Sequence, residues 1–218
     1  MDGLSLRIKR RKRISVQRVP LPPATTPNER WSHAGVPVSM DFMTDSLFNG
    51  QRFRVLTIVR SRQRDLDNFS KVSPAIEADF SFPGKRVTDV LERIVTTTGR
   101  LPKIIHVDNG PEFAGKALDE WAHRRGVKLA VSRPGKPTRP PAVASAHNAY
   151  IEAFNGRLRA ECLDQNWFLS LEDARQKLRA WHEEYNTVRP HTALGLQTPE
   201  CFVAAWRPLE DRPEEATV

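Results

Sequence analysis

Alternating apolar and polar positions predict that a β-hairpin opens the folded part of the chain. The segment MDFMTDSLFNGQRFRVLTIV contains two strand-like runs that flank Asn49-Gly50, a dipeptide preferred in tight hairpin turns. The segment SKVSPAIEADFS, residues 70–81, predicts a third strand. This part of the chain is therefore expected to start a β-sheet.

A helical spacing of apolar residues begins after this third strand. In VTDVLERIV one helical face contains Val87, Val90, Leu91, Ile94 and Val95. PKIIHVD is expected to form a fourth strand, GKALDEWAHRRG a helix that ends at Gly126, and VKLAVS a fifth strand. The order of three strands, helix, strand, helix and strand predicts an α/β fold with a mixed five-stranded sheet flanked by helices.

The last part of the sequence is predicted to be helical. Asn148 is positioned to cap one helix, and a single face of that helix contains Ile151, Phe154 and Leu158. Ser170 followed by Asp173 is typical of the start of another helix. The apolar face of this second helix contains Leu171, Ala174, Leu178 and Trp181.

The net charge of +8 is concentrated at the start of the chain. Residues 1–30 hold eight Lys or Arg and two acidic residues, with a consecutive basic run at Arg10, Arg11, Lys12 and Arg13. The Pro- and Thr-rich segment VPLPPATTPNE follows and is typical of a flexible tether. Such a basic arm favours nucleic acid as the partner, because Lys and Arg neutralise phosphates and release counterions. A solvated terminus without a specific partner and a basic address signal remain alternatives.

These patterns divide the chain into a basic arm with its Pro-rich linker (1–30), a folded core (31–206) and a disordered tail (207–218). No apolar run approaches the roughly 20 residues needed to cross a bilayer, and the start lacks the apolar segment of a secretory signal. Cys162 and Cys201 lie far apart and outside CxxC spacing, which argues against a disulfide framework or a zinc site. We therefore expect a cytoplasmic protein with no membrane partner.

One carboxylate stands at the end of a predicted strand. Asp108 ends the apolar run in IIHVDNGPEF, and Asn109-Gly110-Pro111 supplies residues that let the backbone turn at once. The carboxyl end of a strand is where open α/β sheets usually bind ligands, so Asp108 is a candidate site residue. An ordinary surface turn would use the same four residues.

Two further carboxylates are candidates for the same site. Strand alternation puts Asp41 on the face opposite to Met40 and Phe42, and Glu152 neighbours the apolar stripe of its helix. Three carboxylates from two strands and a helix can hold hard divalent cations through oxygen ligands. Each of the three also fits a surface or capping role, and a chain with 26 acidic residues offers accidental trios.

Several segments are similar to those of a known family. From about Asn28 to Trp206, the chain resembles the integrase-type catalytic core of IS-three-type bacterial insertion-sequence transposases. The resemblance rests on the segments NERWS, MDFMTDSL, RFRVLTIV, DNFSKVSPAIEADFS, HVDNGPEF, NAYIEAFNGRLRAECL, WFLSLEDARQKLRAWHEEYNTVRPHTALG and TPECF. The match is long and collinear. Because that family resembles retroviral integrases, the similarity implies a ribonuclease H-like fold.

The resemblance also implies a metal-dependent DDE triad. By motif, the triad corresponds to Asp41 in MDF, Asp108 in VDNGPEF and Glu152 in YIEAFNGR. The family uses Mg²⁺ or Mn²⁺, and the resemblance implies that these carboxylates hold two ions when DNA is bound. The implied function is DNA transposition or integration, by phosphodiester cleavage and strand transfer at insertion-sequence ends.

The partners implied by the resemblance are DNA and other proteins. Arg159, seven residues after Glu152, is implied as a DNA phosphate contact, although a solvated helix Arg would look the same. Family members usually carry more chain before GLSLRIKRRKR and work with a helix-turn-helix protein of the same element, which we expect as a partner. Homo-oligomerisation is also implied, because two DNA ends must be brought together. We expect association with the bacterial nucleoid when DNA is bound.

Three stretches depart from the family pattern: HAGVPVS (33–39), RSRQRDL (60–66) and RPPAVASAH (139–147). All three fall close to predicted active-site elements, and a misplacement of about 1 Å can cost roughly 100-fold in rate. Three hypotheses therefore stay open: an active recombinase, a decayed remnant that at most binds DNA, and a different ribonuclease H-like nuclease. The stretches are either folded loops or errors in the gene or its translation.

Overall fold

A computed structural model of the protein describes residues 37–60, 71–108, 110, 113, 115–131 and 142–205, with backbone only at 142–149. The predicted basic arm, including Arg10, Arg11, Lys12 and Arg13, and the predicted tail (207–218) lie outside these residues. So do parts of the three departing stretches. The division into arm, core and tail therefore stays a prediction.

Five strands form one mixed sheet in the order β3-β2-β1-β4-β5. Their bounds are β1 Val38–Ser46, β2 Arg52–Arg60, β3 Ala75–Asp79, β4 Ile104–Val107 and β5 Lys128–Val131. The pairs β1–β2 and β2–β3 are antiparallel, and the pairs β1–β4 and β4–β5 are parallel. The five predicted strands and their chain order are confirmed, although β3 occupies only the end of the segment 70–81.

The hairpin between β1 and β2 turns at the predicted dipeptide. Gly50 has a φ of 83°, a left-handed conformation that glycine adopts without steric cost. The Gly50 amide donates to the Leu47 carbonyl at 2.8 Å, and the Gln51 amide donates to Asn49 Oδ1 at 3.0 Å. Side chain and backbone therefore both stabilise the turn that sets the register of the two central strands.

Helices cover both faces of the sheet. They are α1 Gly84–Thr98, α2 Lys116–Arg125, α3 Ala142–Leu158, α4 Leu171–Thr187 and α5 Pro199–Ala205, with a π-helical turn at Arg159–Leu163 and a 3₁₀ turn at Thr192–Leu194. None of these helices in the described residues is long and apolar enough to cross a membrane. Cys162 is a buried free thiol and Cys201 an exposed one.

The sheet separates two hydrophobic cores because strand side chains alternate between its faces. Phe53, Val55 and Val59 of β2 pack with residues of α3 and α4. Leu56 and Ile58 of the same strand pack with residues of α1 and α2. The central strands are thus buried on both sides, which holds them rigidly in place.

The start of α3 differs from the sequence prediction. We expected Asn148 to cap this helix, but α3 begins at Ala142, so Asn148 lies within it. The segment AVASAHNA contains repeated Ala, the residue with the highest helix propensity, and no Gly or Pro interrupts it. The described part of the stretch 139–147 is therefore helical and lengthens α3.

The predicted start of α4 is confirmed. Ser170 Oγ accepts a hydrogen bond from the Asp173 amide at 3.1 Å, and Asp173 Oδ2 accepts one from the Leu169 amide at 2.9 Å. The bond to Ser170 satisfies one amide group that the helix start leaves free, and the bond from Leu169 fixes the residue just before the cap. The buried face predicted for α4 is also confirmed, since Ala174, Leu178 and Trp181 are buried and Leu171 is partly buried.

Removing the Leu178 side chain should destabilise the core between α4 and the sheet. Leu178 is 1% exposed, and we expect Leu178→Ala to lower the free energy of unfolding by about 2–5 kcal/mol. Urea denaturation measures the change. Gln176→Ala, on the exposed side of the same helix, should stay within about 0.5 kcal/mol of the wild type. Equal losses in the two variants would contradict this assignment of the core.

Candidate active site

The sheet register brings Asp41 and Asp108 to the same level. Met40 of β1 is the register partner of Val107 of β4, and the two strands run parallel. Asp41 follows Met40 and Asp108 follows Val107, so the two aspartates occupy neighbouring positions on adjacent strands. The predicted placement of Asp108 just beyond a strand end is thereby confirmed.

Helix α3 carries Glu152 past these strands. It packs on β1 and β2, and Asn155 of this helix donates from Nδ2 to Asp41 Oδ2 at 2.8 Å. Glu152 precedes Asn155 by three residues, so the two side chains lie on neighbouring parts of one helix face. The Glu152 side chain is exposed. The contact through Asn155 thus shows which face of α3 is directed at Asp41.

The charges of the two other carboxylates affect the pKa of Asp41. The pKa of Asp41 is raised, first because the side chain is partly buried and further by the negative charges of Asp108 and Glu152. Hydrogen bonds from the Phe42 amide and from Asn155 act in the opposite direction. The structure therefore brings Asp41, Asp108 and Glu152 within electrostatic reach of one another.

Asp41 is held by a chain of hydrogen bonds that sequence reasoning missed. Asp41 Oδ1 accepts from the Phe42 amide at 2.7 Å, and Asn155, besides donating to Asp41, accepts from Thr57 Oγ1 at 2.8 Å. Thr57 is fully buried and Asn155 is 7% exposed. A hydroxyl within the apolar run VLTIV and an amide three residues after Glu152 were the available signals.

The described residues that follow Asp108, Gly110 and Phe113, connect it to the core. Asp108 Oδ1 accepts from the Gly110 amide at 3.0 Å, and the Phe113 amide donates to the Gly110 carbonyl at 3.1 Å. The Phe113 ring is buried and stacks on Phe42 with ring centroids 4.9 Å apart. The exposed Asp108 carboxylate thus stands on an anchored turn. Asn109 and Pro111 of the predicted turn lie outside the described residues.

Arg159 lies just beyond the end of α3 and contacts β1. Its Nη2 donates to the Thr44 carbonyl at 3.0 Å, and its Nη1 lies 3.8 Å from an Asp45 oxygen and 3.6 Å from an Asp164 oxygen. The side chain is half-exposed. Its predicted contact with a DNA phosphate stays a prediction.

The donor chemistry of the three carboxylates fits a hard divalent cation, because Mg²⁺ and Mn²⁺ prefer oxygen ligands. In the parts of the chain that the structure describes, no three His, Cys, Asp or Glu side chains lie close enough together to hold a metal ion. Repulsion between like charges favours such separation, and together with burial, the larger cause, it raises the pKa of Asp41.

The fold is similar to that of solved structures. A chain in the simian T-cell lymphotropic virus intasome complex with PP2A regulatory subunit B56 gamma is similar, with a TM-score of 0.62, 18% identity, and coverage of 87% of this chain and 61% of that chain. The HTLV-2 integrase catalytic core domain in complex with magnesium, in its trimeric form, is also similar, with a TM-score of 0.57 and 12% identity. That match covers 78% of this chain and 96% of the HTLV-2 chain. The protein has the ribonuclease H-like fold of retroviral integrase cores, as predicted.

Sequence comparison identifies the family. Models of the integrase core domain match residues 25–137 and 125–199. A 31.7 kDa protein of insertion element IS407 from Burkholderia multivorans is 39% identical over 97% of this chain and 68% of its own length. A 39.2 kDa protein of insertion element IS476 from Xanthomonas euvesicatoria is 36% identical over 94% of this chain and 54% of its own length. The chain belongs to the integrase core domain family, and the resemblance seen in its motifs is confirmed.

Neutralising either neighbouring carboxylate should lower the pKa of Asp41. Asp108→Asn and Glu152→Gln each remove a negative charge that disfavours ionised Asp41, and we expect the larger drop for Asp108→Asn. An NMR titration of the Asp41 carboxyl carbon in metal-free buffer measures the pKa. Glu183→Gln, on the exposed side of α4, should leave it unchanged. An unchanged pKa in both site variants would place the three charges too far apart to interact.

Thr57 and Asn155 should behave as one energetic unit. Thr57→Val and Asn155→Ala each break the buried hydrogen bond between them, so we expect a coupling energy of about 0.5–3 kcal/mol in a double-mutant cycle of unfolding free energies. Asn155→Ala combined with Thr96→Val, at an exposed position on α1, is the control and should be additive within about 0.5 kcal/mol. Additive effects at Thr57 and Asn155 would be evidence against the network.

Proposed function

We propose that the chain catalyses DNA transposition by metal-dependent cleavage of phosphodiester bonds and strand transfer at insertion-element ends. The observation that carries the proposal is geometric: Asp41 follows a residue paired with the one before Asp108, and Asn155, three residues after Glu152, donates a hydrogen bond to Asp41 at 2.8 Å. Membership of the integrase core family and similarity to insertion-element proteins support the same function.

In this proposal Asp41, Asp108 and Glu152 hold divalent cations through their carboxylate oxygens. When bound, Mg²⁺ or Mn²⁺ supplies activation of a water or 3′-hydroxyl nucleophile and stabilises charge on the leaving oxygen. Magnesium is present in the similar HTLV-2 integrase core domain, which supports this choice of cation. Two ions with DNA bound remain part of the proposal.

The chain's own residues orient these ligands. The Asn155 amide and the Phe42 backbone amide each donate to one oxygen of Asp41, which restricts rotation of the carboxylate. Thr57 orients Asn155 in turn. Outer contacts of this kind fix the direction of metal-binding carboxylates. Asn155 and Thr57 are therefore positioning residues in the proposed reaction.

A catalytically decayed remnant is not favoured. The described parts of the departing stretches lie within regular elements, since Val38 and Ser39 begin β1 and residues 142–147 begin α3. They lengthen the elements that carry Asp41 and Glu152, and the hydrogen bond between Asn155 and Asp41 is present. An added turn at the far end of a helix changes its length without moving the residues that pack on the sheet.

The proposed partner is DNA, contacted by Arg159 and by the basic run Arg10, Arg11, Lys12 and Arg13. A helix-turn-helix protein of the same element and further copies of this chain complete the proposed assembly. Similarity to an intasome chain and to a trimeric integrase core supports assembly of several copies. We propose that the protein acts in the bacterial cytoplasm, on the nucleoid.

Mn²⁺-dependent nicking of supercoiled plasmid tests the proposal without knowledge of the element ends. We expect nicking by the wild type and at least a roughly 100-fold loss in Asp41→Asn, Asp108→Asn and Glu152→Gln, because misplacing a reacting group by only about 1 Å already costs that much. Adding EDTA should also abolish nicking.

Glu183→Gln serves as the control, because it removes one exposed carboxylate outside the proposed site. It should nick like the wild type. Equal nicking by wild type and all three site variants, in folded preparations that bind DNA, would reject the assignment of these carboxylates. Absence of nicking in every protein would reject an autonomous catalytic activity of this chain.

A further inference from the structure

Helix α3 has a second face that is directed away from the carboxylates. With 3.6 residues per turn, Arg157 lies roughly 140° around the helix from Glu152 and roughly 200° from Asn155. Contacts agree with this geometry, because Asn155 bonds to Asp41 while the Phe154 ring packs on Tyr185, with centroids 5.0 Å apart. The side of α3 that carries Arg157 is therefore distinct from the proposed catalytic side.

Two cationic side chains, Lys71 and Arg157, lie on this second face. The Lys71 ammonium lies 6.0 Å from the centroid of the Tyr150 ring, a distance at which the ring attracts it. Arg157 follows Tyr150 by seven residues, close to two full helical turns, so the two residues share one face of α3. The aromatic ring thus holds Lys71 against the same side of the helix from which Arg157 projects.

Neither cation has a carboxylate partner among the residues that the structure describes. Among the described residues, Lys71 and Arg157 form no ion pair, whereas Lys85 is paired with Asp89 and Arg179 with Glu172. The nearby Arg189 is also paired, with Glu161 at 2.6 Å. Within the described part of the chain, the positive charges of Lys71 and Arg157 are therefore not compensated by an ion pair.

Neighbouring positive charges act on both Lys71 and His191. Partial burial and the charge of Arg157 lower the pKa of Lys71. His191 is 3% exposed, its ring contacts that of Tyr185, and its Nε2 has no hydrogen-bond partner in the described part of the chain. Burial, with the charges of Lys71, Arg157 and Arg189, lowers the pKa of His191 to about 4, so it adds no charge at neutral pH. A bound anion would relieve the repulsion between the two cations.

We propose that Lys71 and Arg157 bind backbone phosphates of DNA on the side of α3 opposite to Glu152. This inference rests on the proposed function, because a DNA substrate supplies closely spaced phosphates along both strands. Lys offers a point charge and Arg a planar fork of donors, and both suit phosphate oxygens. DNA would then be held on two sides of one helix, which fixes its register relative to the carboxylates without reading its bases.

The salt dependence of DNA binding tests the site. A fluorescein-labelled duplex is titrated with protein in EDTA, between about 50 and 200 mM KCl, and the logarithm of the affinity is plotted against that of the salt concentration. Each lost phosphate contact should make the slope shallower by about 0.9, so Lys71→Gln and Arg157→Gln should lose about 0.9 each, and the double variant about 1.8. Arg157→Lys keeps the charge and should keep the slope.

Matched controls remove charges that are already paired. Lys85→Gln and Arg179→Gln take one charge each from exposed positions with carboxylate partners, and both should leave the slope unchanged. A wild-type slope in the Lys71 and Arg157 variants would overturn the site, and so would a lower affinity with an unchanged slope. Plasmid nicking separates the two proposals. If the Lys71 and Arg157 variants keep the wild-type slope while the wild type nicks plasmid, only this phosphate site is rejected. If the variants have a shallower slope but the wild type does not nick plasmid, only the catalytic function is rejected.

Discussion

The hydrogen bond between Asn155 and Asp41 is the interaction on which the arrangement of the site depends. It joins the central strand of the sheet to the helix that carries Glu152, across 114 residues of sequence. Asp41 is partly buried, and burial disfavours its ionised form. Donors from Asn155 and the Phe42 backbone offset part of that cost. The two hydrogen bonds thus stabilise the ionised form of the partly buried Asp41 carboxylate and also orient it.

The two-sided sheet explains why this bond can be so specific. Strands β1 and β2 are packed between helices on both faces, so the backbone beneath Asp41 has little freedom to move. Thr57 places a hydroxyl in an otherwise apolar part of β2. This hydroxyl lies 2.8 Å from Asn155 Oδ1, its hydrogen-bond acceptor, and 3.3 Å from the Asp41 carbonyl oxygen. A rigid apolar scaffold thus surrounds one short polar connection.

Helix α3 carries residues of both proposed sites. One side carries Glu152 and Asn155, and the other carries Tyr150 and Arg157. A single rigid element therefore relates the proposed cation ligands to the proposed phosphate contacts. The stretch 139–147 lengthens this helix at its first turns, away from Ile151, Phe154 and Leu158, which pack in the core beside the sheet.

The sequence by itself determined the strands, most helices and the three candidate carboxylates, since apolar periodicity, the Asn49-Gly50 turn and the Ser170 cap are encoded by residues close together in the chain. The motifs around Asp41, Asp108 and Glu152 were equally local. Only the tertiary structure decided that Thr57 and Asn155 hold Asp41, and that Lys71 faces α3, because these contacts join distant segments through packing. At Asn148 a local cap signal was overridden by the helix propensity of the preceding Ala-rich residues.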